Sequence, residues 1–150
     1  MRKMMMRAAL AALPLTMPVA AFAGTIADPV VERVAPDKLA IRWSDADPVD
    51  LLRADRPDAA IASATLLSAR DKDGVQEVQV APGTRPYFLL RDSKSGAVTR
   101  VAERVLVMEQ SSNFRDLGGY PAAGGKHVRW GRIYRSGGQA MLTPADVAQV

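Results

Sequence analysis

Cysteine is absent from the 150 residues of this chain. That excludes a disulfide framework, so any module of an exported protein built from these residues is held by its hydrophobic core alone. It also excludes a thiol nucleophile within the chain. Histidine occurs once, at His127, in a polar stretch with no serine or carboxylate beside it, and reads as a surface residue rather than a base. Charge of one sign is not in excess either. The formal net charge is +4, but Arg2, Lys3 and Arg7 stand in a segment expected to be removed, which leaves 17 basic against 16 acidic residues. Nucleic-acid binding through bulk charge is therefore not indicated. Nor is there a long apolar run. The stretch from Ala8 to Phe22 is interrupted by Pro14 and Pro18 and falls short of the ~20 residues that cross a bilayer.

With its basic start and its small-x-small ending Ala21-Phe22-Ala23, this stretch fits a secretory signal peptide over residues 1–23, cut before Gly24. The expectation is a periplasmic or secreted protein with no stable membrane span after cleavage. Met4, Met5 and Met6 belong to this segment and need no sulfur-based role.

From about Ala27 to Glu109 the apolar residues recur with period two, as in strands buried on one face. Leu39, Ile41 and Trp43 alternate with Ala40, Arg42 and Ser44. Further strands are expected over Val30–Val34, Val49–Arg53, Ala64–Ala69, Val75–Val80, Tyr87–Arg91 and Val98–Met108, parted by turn-prone stretches such as Asp71-Lys72-Asp73-Gly74 and Asp92-Ser93-Lys94-Ser95-Gly96. Seven short strands at this spacing argue for an all-β sandwich over residues 24–109. The run from Val80 to Tyr87 resembles the corner before a late strand of fibronectin type III domains, where a tyrosine hydroxyl bonds back to the corner backbone. A fibronectin-III-like sandwich is thus expected, with Trp43 and Tyr87 as core residues rather than ligand anchors.

Gln110-Ser111-Ser112 reads as a linker, and the local pattern changes after it. Asn113-Phe114-Arg115-Asp116-Leu117-Gly118-Gly119-Tyr120 delivers two opposite charges directly ahead of a Gly-Gly pair, where the backbone can take positive φ and approach another group closely. Such a pair serves either a turn, with Arg115 and Asp116 bonded to each other or to backbone, or a site rim. Pro121 to Gly125 reads as a loop with Gly124-Gly125 at a hairpin tip. Trp130–Arg135 reads as a strand with Ile133 one of its inward candidates and Arg132 or Arg135 pointing elsewhere. A helix is expected to open at Thr143 as N-cap, with Pro144 in the first position, Asp146 in the third and Leu142 stapled to Val147. One strand and so short a helix bury no core of their own, so residues 113–150 are expected to open a larger α/β domain. Beyond Ser112 there are 5 basic and 2 acidic residues, so this part leans towards anions.

The sequences NFRDLGGY, then VRWGRIYRSG and LTPAD resemble the start of the catalytic domain of the bacterial tyrosine phosphatase family, over roughly Ser112 to Val150. The resemblance implies hydrolysis of phosphomonoesters of proteins or phosphoinositides through a phosphocysteine. It implies neither cofactor nor metal. The family's Cys nucleophile and phosphate-holding Arg lie in a His-Cys-x-x-Gly-Lys-x-Arg-Thr loop that does not occur in this sequence, so the 150 residues alone are expected to be inactive. Asn113, Arg115, Asp116, Gly118 and Gly119 match the first motif and Arg135 and Ser136 the second. They are expected to bind substrate or support the site, Arg115 and Arg135 by positive potential. The alternative is a periplasmic β-sandwich binding module without catalysis.

Overall fold

The structure is a computed structural model that describes residues 26–138 and 142–150. The expected signal peptide lies outside the described residues. None of the described helices is long and apolar enough to cross a membrane.

All seven expected sandwich strands form. They are β1 (Ala27–Ala35), β2 (Lys38–Ser44), β3 (Val49–Ala54), β4 (Thr65–Asp71), β5 (Val75–Gln79), β6 (Tyr87–Asp92) and β7 (Val98–Ala102). They divide into a three-stranded sheet of order β1-β2-β5 and a four-stranded sheet of order β4-β3-β6-β7, with antiparallel neighbours throughout. Leu39, Ile41 and Trp43 of β2 meet Val49 and Leu51 of β3 and Phe88 and Leu90 of β6 in one buried cluster. The two sheets are therefore the layers of a β-sandwich, each contributing the apolar face that its period-two pattern supplies. Ala40 is also buried, although the alternation turns it outward. β2 is the central strand of its sheet, and Ala40, a small residue, lies between Glu32 and Glu77 on the neighbouring strands. On the outer face of the second sheet, Leu52, Ala54 and Leu89 are covered by Ala59, Ile61 and Ala64 around a single 3-10 turn at Ile61–Ser63.

Three expectations need correction. The last sandwich strand stops at Ala102, well short of Met108. From there the chain turns to new partners. The Glu103 carboxylate accepts from Arg33 Nε and Nη2 at 2.8–3.2 Å, and Leu106 and Met108 pack with Phe114 and Tyr134 in a separate buried cluster. The strand expected over Trp130–Arg135 shrinks to Tyr134–Arg135. Gly131 takes φ +69°, which breaks the extended run. Tyr134 then faces inward, its ring 5.3 Å from that of Phe114, and Ile133 is left 52% exposed. Finally, the Tyr87 hydroxyl accepts from Arg85 Nη1 at 3.1 Å instead of bonding to corner backbone.

Beyond the sandwich the chain folds back on it through short pairings. β8 (Arg115–Asp116) pairs antiparallel with β11 (Tyr134–Arg135), and Val105 bridges to Arg115 on the other side. β9 (Pro121–Ala122) and β10 (Lys126–His127) form a hairpin with Ala123–Gly125 at its tip. A helix, α1 (Pro144–Ala148), ends the described chain and opens as the sequence predicts. The Thr143 hydroxyl accepts from the Asp146 N–H at 3.1 Å and the Asp146 carboxylate accepts from the Thr143 N–H at 3.2 Å. Val147, expected to staple onto Leu142, is largely exposed.

Candidate functional site

The centre of the C-terminal segment is Asp116, fully buried. A carboxylate without water must find donors within the protein, and Asp116 has three. Arg85 Nη2, from the loop before β6, donates to Oδ2 at 2.7 Å. The Gly131 N–H donates to the same oxygen at 2.8 Å and the Gly118 N–H to Oδ1 at 2.7 Å. Arg85 is itself held by the Glu103 carbonyl at 2.9 Å. Arg104 Nη1 donates to the Asp116 carbonyl at 2.7 Å, and its guanidinium lies 4.4 Å from the centre of the Tyr120 ring and 4.8 Å from that of Trp130. Asp116 thus fixes a turn, as one of the two sequence readings has it. Its ionic partner is not the adjacent Arg115, however, but an arginine 31 positions earlier, on the sandwich.

The Gly-Gly pair has a packing cause. A Cβ on Gly118 would come within 2.5 Å of Trp130, and one on Gly119 within 2.8 Å of the same indole. Gly119 also takes φ +78°. Trp130 is buried in the sandwich core cluster, and its indole Nε1 donates to the Arg100 carbonyl at 3.0 Å. Motif and sandwich therefore share one packed interior.

The remaining candidate residues collect at the β8–β11 ribbon. Arg115 and Arg135 are direct cross-strand partners, and both are exposed. Asn113 begins the approach to β8 in the left-handed region at φ +56°, which asparagine tolerates better than most residues. Ser136 follows β11 and is partly exposed. Asn113, Arg115, Arg135 and Ser136 thus lie at one end of the ribbon, while Asp116, Gly118 and Gly119 lie inside it or beneath it. Among the described residues neither Arg115 nor Arg135 has a carboxylate within ion-pair distance.

The expected linker is tied down. Glu109 and Gln110 donate their N–H groups to Asp146 at 2.6 and 3.1 Å, and Ser111 Oγ donates to the Gly138 carbonyl at 2.7 Å. Burial pushes the Asp146 carboxyl up, but the N–H groups of Glu109, Thr143 and Gln110 outweigh it and hold the group below its ordinary value. Tyr87 and Tyr134 are pushed up, chiefly by burial. His127 is exposed on β10. Among the described residues one carboxylate trio, Asp45, Asp47 and Asp92, is close enough to share a cation. Asp92 is already occupied with the N–H groups of Lys94 and Ser95, and Asp47 with Lys94 Nζ at 3.5 Å.

Sequence reasoning missed Arg85, Arg104 and Trp130. Only the last lies in a quoted motif, and the two arginines gave no signal among the charges of the sandwich.

Comparison with known proteins agrees with the motif reading. Residues 106–150 match the sequence model of the tyrosine phosphatase family. Over 45 residues the chain is 49% identical to a Cupriavidus necator protein that carries a provisional tyrosine-protein phosphatase name, a match covering 30% of this chain and 16% of that protein. The chain thus spans about a sixth of the curated relative it matches.

Proposed function

We propose that this chain is the N-terminal part of an exported protein-tyrosine phosphatase: a signal peptide, a fibronectin-III-like sandwich and the first segment of a Cys-dependent phosphatase domain. The family match over residues 106–150 supports phosphomonoester hydrolysis as the chemistry. The three-plus-four division of strands supports the fibronectin-III type of sandwich. The periplasm or the exterior is the proposed location, and a phosphorylated protein the proposed substrate, with a phosphoinositide as the lipid counterpart.

The observation that carries the reading is the Arg115–Arg135 pair. Like charges directly opposite one another on paired strands repel and destabilise the pairing. Here they stand together without a carboxylate partner among the described residues, on the exposed side of a ribbon whose Phe114 and Asp116 are buried. Two guanidiniums so placed suit the equatorial oxygens of a phosphoryl group, which accept bidentate bonds. They would attract and orient such a group. They cannot attack it, and these 150 residues contain no thiol that could.

The test is hydrolysis of an aryl phosphate by this chain and by a protein in which the same segment runs on into the Cys-containing loop. The chain alone should show no turnover, and the longer protein should. In the longer protein Arg115→Ala and Arg135→Ala should each lower kcat/KM by about tenfold or more, the equivalent of one charge-assisted bond. Turnover unchanged by both substitutions would refute the role given to the pair. Activity of the cysteine-free chain that survives purification and is lost on changing residues 113–136 would refute the mechanism.

A further inference from the structure

A second feature lies away from the Arg115–Arg135 ribbon and does not depend on that reading. Where the chain from His127 to Arg132 runs along the free edge of β7, a cleft of about 470 Å³ lies between them. That volume is in the range of small-molecule sites. Its walls are of two kinds. Pro29, Pro57 and Val98 give it apolar surface, with Val101 and Trp130 buried behind it, and Arg100, Arg129 and Arg132 bring cations to it. The Trp130 wall is fixed, because the indole is pinned to the Arg100 carbonyl and wedged against Gly118 and Gly119.

The charges around the cleft do not cancel. Arg104 also lines it, but that guanidinium is committed to the Asp116 carbonyl and to the Tyr120 and Trp130 rings. Arg100 has only a long bond, 3.4 Å, to the Pro57 carbonyl. Arg129 and Arg132 are exposed and, among the described residues, make neither an ion pair nor a side-chain hydrogen bond. Asp58 is the one carboxylate of the lining, and Arg56 already holds it through three bonds of 3.1–3.2 Å. Three arginines with spare donors beside an apolar wall form a recognition surface for an oxyanion attached to an apolar body. An inorganic anion would leave the apolar surface of Pro29, Pro57 and Val98 uncovered, and a neutral apolar molecule would leave the guanidiniums unanswered.

The geometry points to a binding site in this cleft for a small organic oxyanion, a phosphate or carboxylate head on an apolar body of one or two rings. Arg129 and Arg132 would grip the head, and the body would lie against Pro29, Pro57 and Val98 at the edge of β7. Arg115 and Arg135 take no part, since neither lines the cleft.

The experiment is titration of the chain with phenyl phosphate, phenylacetate, inorganic phosphate and benzyl alcohol, followed residue by residue through backbone amide shifts. Phenyl phosphate or phenylacetate should give saturable shifts at residues 98–101 and 128–132, with a Kd of about 1 mM or tighter, and which one binds tighter identifies the head. Inorganic phosphate and benzyl alcohol should each bind at least about tenfold more weakly. Arg129→Ala and Arg132→Ala should each weaken binding by about tenfold. Both residues are exposed, so the amide spectrum of each variant should otherwise match the parent and rule out unfolding as the cause. The proposal is overturned if no ligand saturates these amides, if the shifts fall at Arg115 and Arg135 instead, if inorganic phosphate binds as tightly as phenyl phosphate, or if neither arginine variant loses affinity.

Discussion

Replacing Asp116 by alanine should free the C-terminal segment from the sandwich while leaving the sandwich folded. The substitution removes the acceptor of three bonds, from Arg85 Nη2 at 2.7 Å, Gly131 N–H at 2.8 Å and Gly118 N–H at 2.7 Å. Deleting one member of a buried ion pair costs about 3 to 5 kcal/mol, because the partner charge is left without compensation. Arg85 retains the Glu103 carbonyl and the Tyr87 hydroxyl, so the lower end of that range applies to it. The two stranded N–H groups add about 1 kcal/mol or more each where water does not reach them. The sum, about 5 kcal/mol, is more than short ribbons and one hairpin are expected to hold by themselves, so undocking relieves it before the sandwich is strained. Undocking also limits the loss seen in global unfolding.

Amide hydrogen exchange reads this directly. Leu117, Gly119 and Val128 donate to Ile133, Val128 and Tyr120 within the segment, and their protection should fall by roughly a hundredfold or more, the equivalent of about 3 kcal/mol. Trp43 and Val80, bonded to Gly74 and Asp37 within the sandwich, should keep theirs. Arg85→Met should reproduce much of the effect, and the double variant should show a coupling of about 1 to 3 kcal/mol. Protection of residues 117–128 that survives Asp116→Ala, or that is lost equally in Arg115→Ala, would refute the assignment of Arg85 as the partner.

Four further outcomes are expected. Trp43→Ala should destabilise the sandwich by about 3 to 5 kcal/mol by leaving a cavity between the sheets, and a fragment of residues 24–109 should unfold cooperatively in denaturant. Gly119→Ala should destabilise through both its φ of +78° and its 2.8 Å approach to Trp130, read as a lower thermal midpoint, while Gly124→Ala at the open hairpin tip meets nothing and carries only the backbone strain. Asp146 has a carboxyl held below its ordinary value in the fold, so its contribution is present above the unfolded value of about 3.9 and is lost as pH falls through the lower folded value. Protection of the Glu109 and Gln110 amides should be level from neutral pH to about 5 and fall below about 4, and Asp146→Asn should weaken it at neutral pH. Arg115→Ala should leave the thermal midpoint of the chain within about 0.5 kcal/mol equivalent, as for an exposed side chain with no ion-pair partner among the described residues.

The sandwich was legible because its signal is local. Period-two patterning in Leu39-Ala40-Ile41-Arg42-Trp43 and turn residues between strands fix which segments extend and which face is buried, and both act over a few residues. The α1 cap was legible for the same reason, since Thr143 and Asp146 bond to each other. What failed was non-local. Val98–Met108 carries a strand pattern to its end, but Glu103 finds Arg33 and Asp116 finds Arg85, partners 70 and 31 positions away, and those bonds take the chain out of the sheet. Ile133 is an inward candidate of a strand expected over Trp130–Arg135, but Trp130 and Tyr134, four positions apart, take the inward side and leave Ile133 out.

The same non-local contacts bear on why sandwich and motif occur together. Arg85, Arg100 and Arg104 all come from the sandwich or its immediate exit, and each bonds to, or lines a cavity with, the segment that is similar to the tyrosine phosphatase family. Arg85 supplies the charge that lets Asp116 be buried. Arg104 supplies a donor to the Asp116 carbonyl and a cation for Tyr120, and the Arg100 carbonyl receives Trp130. A linker of three residues between independent domains would need none of this. The motif is instead built against the sandwich. Under the function proposed above, a phosphatase domain carried on the sandwich would have the exposed ribbon of Arg115 and Arg135 set by side chains of the module in front, and substitutions at Arg85 or Arg104, which hold Asp116 from behind the ribbon, should then change turnover by displacing it.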